Sequence, residues 1–452
     1  MFIKYSKIDS VSCKYVSCDS RGDTMKILYV TPHPHAKYGL FSRFTYPSLT
    51  LKQLAAITPP EHSVEIVDER IERINFKKNY DAVGISCMTY NSLRGYEVAE
   101  EFRKQGIPVF LGGYHPSLLP DEAKQHVDSV VVGEAELTLP RLLSDLEKDQ
   151  LKPYYRPERL VNPEEIPAAR HDIGSYNPFN EPIQASRGCP IGCEFCAMRI
   201  VEGNKFRGRP VDHIIDEMKS IKTKSIFFAD ASLTINPNYS KSLFKGMSEL
   251  NKYFECFGNM NVLVRDDEFL KLASEAGIFN WYVGIESISQ QNIDAAGKRT
   301  NKVENYGKAI KKIRDYGMMI TGFFMFGFDF DTKEIFDKTL QAIYDWGLDE
   351  VSFSIVTPYP GTQLFARYER EGRIICRDWS KYGEGNVNYS MKNLTEEELM
   401  DGIKRIAGEY YSLPNIIKRS FTNTNYSPYR VFIKIIRNIS VRKFYLTEKL
   451  HD

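Results

Sequence analysis

From Met25 onward the chain alternates short apolar runs with amphipathic stretches of helical period. Lys26 to Val30, Val64 to Val67, Ala82 to Ser86, Ile107 to Leu111 and Ser129 to Val132 read as buried strands. Leu49 to Ile57, Ser92 to Gln105, Ser117 to Gln125 and the run up to Leu146 read as the helices between and after them. This rhythm predicts an α/β domain over residues 25–150, a doubly wound, Rossmann-like parallel sheet that takes ligands beyond the carboxyl ends of its strands. Pro153, Pro157, Pro163, Pro167 and Pro178 then punctuate residues 151–180 and predict an extended linker. The alternation resumes with strands at Pro182 to Ala185, Ser225 to Ala229, Cys256 to Val262, Ile278 to Ile285, Met319 to Phe326 and Glu350 to Val356. Six such strand–helix units predict a partial (β/α)6 barrel over residues 181–375. Residues 376–452 read as a small helical region, with a helix over Thr395 to Tyr411 and a basic amphipathic tail.

Composition narrows the function classes. The chain has 452 residues and a formal charge of +1, which gives no ground for a nucleic-acid partner. Eight cysteines in this length do not suggest a disulfide scaffold, and the reduced thiols that a cluster loop needs fit a cytoplasmic setting. Residues 1–24 lack the apolar core of a signal peptide and are expected to be a disordered extension, with Cys13 and Cys18 incidental. No apolar run is long enough to cross a membrane. In the tail, Val431, Phe432, Ile435, Ile436 and Ile439 form a stripe bordered by Arg430, Lys434, Arg437, Arg442 and Lys443. Such a helix more often packs on its own protein, but residues 429–445 also offer a peripheral contact at the inner membrane face.

The densest chemistry lies directly after the barrel's first strand, in Ser186-Arg187-Gly188-Cys189-Pro190-Ile191-Gly192-Cys193-Glu194-Phe195-Cys196. Cys189, Cys193 and Cys196 can converge on one soft metal centre. A structural zinc site wants a fourth protein ligand, and no Cys or His lies near enough in sequence to serve. Three ligands leave a position open for something exchangeable. The loop resembles that of the radical S-adenosylmethionine (SAM) enzymes, whose three cysteines hold a [4Fe–4S] cluster while SAM chelates the fourth iron. The resemblance implies that Phe195 packs near the SAM adenine. It implies that Asp230 binds the amino group and that Arg265 and Glu286 meet the carboxylate and ribose. The bland alternative for these three is helix capping or surface pairing. Arg199, Lys205, Arg207 and Arg209 follow the loop and read as a solvated basic face.

In the first domain the candidate ligand residues are Ser86, Thr89, Gly112, Gly113, His115, Gly133 and Glu134, all at strand ends. Glycines admit close approach of a large ligand, and hydroxyls bond polar edges. No G-x-G-x-x-G follows the first strand, which disfavours a dinucleotide. The phrases from Gly112 to Pro120 and from Val131 to Pro140 resemble the cobalamin-binding domain that precedes many radical SAM enzymes, and Thr357 to Thr362 resembles a phrase of the same proteins. Asp-x-His-x-x-Gly is absent, so the resemblance implies cobalamin without a lower histidine ligand. The expected activity is reductive SAM cleavage followed by methylation of an unactivated carbon on a lipid or secondary metabolite, as in hopanoid methylases. Ring formation or carbon–carbon coupling is the alternative chemistry, and a non-catalytic cluster or cobalamin sensor the alternative class. The expected partners are a small-molecule or lipid substrate and an electron donor such as flavodoxin or ferredoxin.

Overall fold

A computed structural model describes residues 24–34, 46–174, 180–383, 385–421 and 428–447. The extension expected over residues 1–24, with Cys13 and Cys18, lies outside the described residues up to position 23. The fold is α/β with two all-parallel six-stranded sheets. The first holds β1 (Lys26–Thr31), β2 (Ser63–Asp68), β3 (Ala82–Ser86), β4 (Val109–Gly112), β5 (Ser129–Val131) and β6 (Tyr154–Tyr155) in the order β2-β1-β3-β4-β5-β6. This is a doubly wound order with its switch point between β1 and β3. Strand β6 pairs with β5 inside the stretch read as linker, so the first sheet reaches Tyr155.

The second sheet holds β7 (Glu181–Ile183), β10 (Ser225–Phe228), β11 (Tyr253–Gly258), β12 (Ile278–Glu286), β13 (Met319–Phe326) and β14 (Glu350–Ile355) in the order β14-β13-β12-β11-β10-β7. Between β7 and β10 a small antiparallel ribbon, β8 (Ser186–Arg187) with β9 (Arg207–Gly208), closes the base of the cysteine loop. Six consecutive parallel strands with open edges at β7 and β14 make the partial barrel. Alternate positions divide the strands' work. Ile226, Phe228, Trp281, Val283 and Ile320 join the core under the outer helices. Phe227, Phe257, Tyr282 and Phe323 face one another on the other side, with ring centroids 5.4–6.0 Å apart.

The β14 edge is covered by the C-terminal helices. The Tyr411 hydroxyl accepts from the Val351 N–H (3.0 Å) and donates to the Val351 carbonyl. Tyr445 does the same for Phe353, at 2.7 and 3.2 Å. Two tyrosines thus satisfy edge groups that would otherwise template another strand.

One strand boundary differs from expectation with a consequence for function. The third barrel strand was expected over Cys256 to Val262, but β11 ends at Gly258 and Met260–Arg265 is a helix. Met260, Leu263 and Val264 are its buried residues, a helical spacing hidden inside an apolar run.

Candidate functional site

The cysteine loop hangs between the two sheets and is fixed from several sides. Gly188 has φ +79°, and a Cβ there would meet the Lys205 carbonyl, so only glycine fits at the head of the loop. The Cys189 N–H donates to the Gly203 carbonyl (3.2 Å). The Glu194 N–H donates to Ala296 (3.0 Å), the Leu364 N–H donates to Glu194 (2.9 Å), and Arg367 pairs with the Glu194 carboxylate (2.7 Å). Cys189, Cys193 and Cys196 are free and half-buried. Among the described residues no three His, Cys, Asp or Glu groups converge as for a single bound metal ion. Thiolates are the ligands an iron–sulfur cluster takes, and these three would hold one.

Burial pushes the three thiols up, Cys193 to about 12, while the Lys298 ammonium pulls each of them down. Lys298 follows Gly297, whose backbone lies against the Gly192 carbonyl of the loop. Its ammonium pairs with the Glu286 carboxylate, and both side chains are 9% exposed. Burial works against the Lys298 charge, but Glu286 and the neighbouring thiols hold its pKa above the ordinary lysine value. Gly284 leaves the space: a Cβ there would strike both members of the pair. Glu286 has φ +63°, a conformation that side chains rarely adopt and that clusters at functional sites. Three thiols facing one buried ammonium form a donor set that fits an anionic iron–sulfur cluster.

The other residues expected near SAM are placed differently. Phe195 is half-buried and packs on a cluster that includes Phe328, Leu364 and Tyr389. Asp230 is 1% exposed, with both oxygens engaged. One accepts from the Ala185 N–H (3.0 Å) and the other from the Ser186 hydroxyl (2.6 Å). It therefore organises the chain entering the cysteine loop. Arg265 ends a helix and is exposed, because the chain turns helical at Met260. The structure does not bring Arg265 to the loop.

Burial raises the Asp230 pKa to about 6, against an ordinary value of 3.8. A carboxyl raised on folding binds its proton more tightly in the folded chain, so its contribution falls as pH rises from about 4 through 6. Asp230→Asn should remove this dependence. Thermal unfolding of cofactor-free wild type and variant across pH 4–7 should show a gap that changes by about 2–3 kcal/mol. A pH-independent gap would contradict the assignment.

A cavity of about 330 Å³ opens at the carboxyl ends of the first sheet. Ser86, Gly112, Gly113, Gly133 and Glu134 line it, as does Tyr114. Its opposite wall comes from the barrel: Gln184, Arg187, Met198, Val201, Glu202 and Ala229. Gly113 (φ +102°) lets β4 end close against the Cys87 carbonyl, where a Cβ would collide. An apolar hollow rimmed by glycines and a few polar groups fits the flat, amide-edged ring of a corrin.

Two of the expected cavity residues are not on this lining. Thr89 is buried in the short turn Thr89–Asn91 after β3. His115 is fully buried on the far side of its helix, bonded to the Tyr96 hydroxyl (2.9 Å) and Glu122 (3.3 Å), with its ring 5.8 Å from Trp379. The helix at Tyr114–Leu118 starts immediately after Gly113, so Tyr114 takes the cavity side. The Trp379 indole N–H donates to Glu122 (2.9 Å) and ties the C-terminal region to the first sheet.

Below the cavity an ion network joins the sheets. Arg187 reaches Glu134 (3.1 Å) and Glu136 (2.7 Å), and Arg207 reaches Glu134 (2.6 Å). Arg209 pairs with buried Glu217 (2.6 Å), which also meets His171 (2.9 Å). The expected solvated basic face is thus largely internal: Arg207 and Arg209 turn inward because buried carboxylates await them. Lys298, Glu136 and Glu202 were not foreseen. A signal for Lys298 existed, since a buried strand-end carboxylate requires a cation and the loop after β12 offers Lys298, Arg299 and Lys302.

Residues 183–343 match the family model described as the radical SAM superfamily, and residues 45–143 match a B12 binding domain. The chain is 32% identical to bacteriochlorophyllide d C-8(2)-methyltransferase of Chlorobaculum tepidum, over 87% of this chain and 91% of that protein. It is 25% identical to hopanoid C-2 methylase of Rhodopseudomonas palustris, over 83% and 75%. Among solved structures, the radical SAM methyltransferase TsrM of Kitasatospora setae superposes with a TM-score of 0.68 at 15% identity, covering 86% of this chain and 89% of TsrM, which shows a shared fold.

Proposed function

This chain belongs to the cobalamin-dependent radical SAM C-methyltransferases, and we propose that it methylates an unactivated carbon of an apolar, ring-rich small molecule. Its cofactors are a [4Fe–4S] cluster, SAM and cobalamin, which when bound supply reductive cleavage of SAM and delivery of a methyl group. In this reading Cys189, Cys193 and Cys196 hold the cluster. Glu286 and Lys298 face SAM beside it, with Phe195 behind. Ser86, Gly112, Gly113, Gly133 and Glu134 border cobalamin. A flavodoxin- or ferredoxin-type protein donates the electrons. We place the domains at residues 25–150 and 181–375, with the helical region after them and the stretch 151–180, which carries β6, between them.

The observation that carries methyl transfer is the shared segment Arg187–Glu202: it bears the three thiols and also lines the cavity of the first sheet. One substrate pocket can therefore face both cofactors, which is what two-step delivery to one carbon requires. The aromatic inner face of Phe227, Phe257, Tyr282 and Phe323 supports an apolar, flat acceptor. Relatives named for bacteriochlorophyllide and hopanoids agree with that class. An acceptor of this kind also suits a peripheral membrane contact through residues 429–445.

Anaerobic reconstitution with iron and sulfide, then hydroxocobalamin, methyl-labelled SAM and reductant, tests the proposal. A brown protein, 5′-deoxyadenosine and methyl label in the corrinoid fraction are expected. 5′-Deoxyadenosine without label on the corrinoid would favour ring formation or coupling, and neither product would favour a sensor.

A further inference from the structure

The tail helix Pro428–Thr447 is amphipathic in the direction opposite to an ordinary surface helix. Two of its cations, Lys434 and Arg437, point inward. Lys434 is 1% exposed and pairs with Asp349 (2.5 Å). Arg437 enters the barrel floor, meeting Glu255 (2.5 Å) and Glu350 (3.0 Å). These carboxylates stand near the amino ends of β11 and β14, and they draw the charged face of the helix onto the barrel. The apolar face is left outside: Phe432, Ile436 and Ile439 are 57%, 41% and 46% exposed.

The neighbouring helix Leu413–Ser420 packs against it and repeats the pattern. Its Arg419 is buried on Tyr410 and Asn438, while Leu413, Ile417 and the following Phe421 are 51%, 56% and 67% exposed. Six of the thirteen large apolar side chains exposed among the described residues lie on this hairpin. Residues 412–447 also contain seven Lys or Arg and no Asp or Glu, which leaves −6 for the rest of the chain. Lys418 and Lys443 are exposed beside the apolar residues.

We infer that this hairpin is a docking surface for an anionic lipid bilayer. Apolar side chains at helical spacing enter the boundary between headgroups and acyl chains, and the flanking lysines meet anionic headgroups. No described helix is long and apolar enough to cross the membrane, so the contact is peripheral. A second copy of the chain fits less well, because two such faces would oppose like charges. The inference deepens the peripheral contact proposed above, yet it stands apart from methyl transfer, since binding is read without cofactors.

The test is co-sedimentation of the cofactor-free full chain with vesicles. Wild type is expected to sediment with phosphatidylcholine–phosphatidylglycerol vesicles and about tenfold less with phosphatidylcholine alone. Raised salt should release part of it. The double variant Ile417→Asp with Ile436→Asp should lose binding about tenfold or more while unfolding at the wild-type temperature. Lys418→Glu with Lys443→Glu is the second probe, should the first variant unfold, and should abolish the preference for anionic vesicles. Wild type left in the supernatant, or charge and apolar variants that bind as wild type, would overturn the inference. So would concentration-dependent self-association abolished by the same substitutions, which would make the face an interface between copies.

Discussion

Lys298→Ala is expected to destabilise the cofactor-free chain by about 3–5 kcal/mol and to stop SAM cleavage after reconstitution. The substitution leaves Glu286 buried at the end of β12 with its cation gone and removes the ammonium that faces all three thiols. Glu286→Gln makes the reciprocal defect, a buried ammonium without its carboxylate. The double variant removes both charges, so it should regain much of the stability lost by either single change. It should not regain SAM cleavage, because the uncharged site offers no ammonium to the cluster and no carboxylate to polar groups of SAM. Denaturant unfolding of the four proteins, with iron content and 5′-deoxyadenosine yield after reconstitution, separates the two roles. If Lys298→Ala unfolds at the wild-type midpoint, the pair is not structurally coupled. If it cleaves SAM at the wild-type rate, the ammonium has no part in the site.

The residues of this site were unequally readable from sequence. The cysteine loop was legible because its chemistry is local: thiol spacing and the glycine at its head are set within eleven residues. Strand ends were legible because the period of apolar runs marks where each strand stops, and the ligand face of a parallel sheet follows from that. Ser86, Gly112, Gly113 and Gly133 accordingly line the cavity. What failed was direction. His115 follows Gly113 by two residues, yet the helix beginning at Tyr114 turns it to the far side. Arg265 was assigned to a strand end because an apolar run can be strand or helix, and the i, i+3, i+4 spacing of Met260, Leu263 and Val264 decides for helix.

Long-range electrostatics was the least legible layer. The tail's apolar stripe and its basic border were visible, but which side faces the protein depends on Glu255, Asp349 and Glu350, 85–182 residues away in sequence. The same holds for Arg207, whose carboxylate partner Glu134 lies 73 residues away in sequence, whereas Arg209 finds Glu217 eight residues on, in the next helix. A charged residue bordering a hydrophobic run is ordinarily solvated, and only the buried acid on a distant strand reverses that expectation. Composition and period locate elements, while buried ion pairs decide how the elements turn.

Arg187 shows what such a pair does for function, and its removal should have the second large effect. Arg187→Ala is expected to lower stability by about 3–5 kcal/mol at neutral pH and to weaken hydroxocobalamin binding about tenfold or more. The guanidinium lies two residues before Cys189 and lines the cavity while holding Glu134 and Glu136. Glu134 retains Arg207 in the variant. Glu136 loses the partner with which it is paired. In the wild type burial pushes the Glu136 carboxyl up, but Arg187 outweighs burial and holds it below the usual range. Its contribution is therefore present above the unfolded carboxylate pKa and lost as pH falls through the depressed folded value. Without Arg187, burial is opposed only by a backbone hydrogen bond and by Arg207, so the expected sign reverses: the folded chain then prefers the protonated acid and loses stability as pH rises. The gap between wild type and variant should widen from pH 5 to pH 8 in thermal unfolding of the cofactor-free protein, and absorbance titration with hydroxocobalamin should show the weaker site. Arg187→Lys should restore little, because a point charge cannot span two carboxylates and the Gln184 amide as the guanidinium does. A gap independent of pH would show that Glu136 draws its stabilisation from elsewhere, and unchanged cobalamin affinity would detach the ion network from the cavity above it.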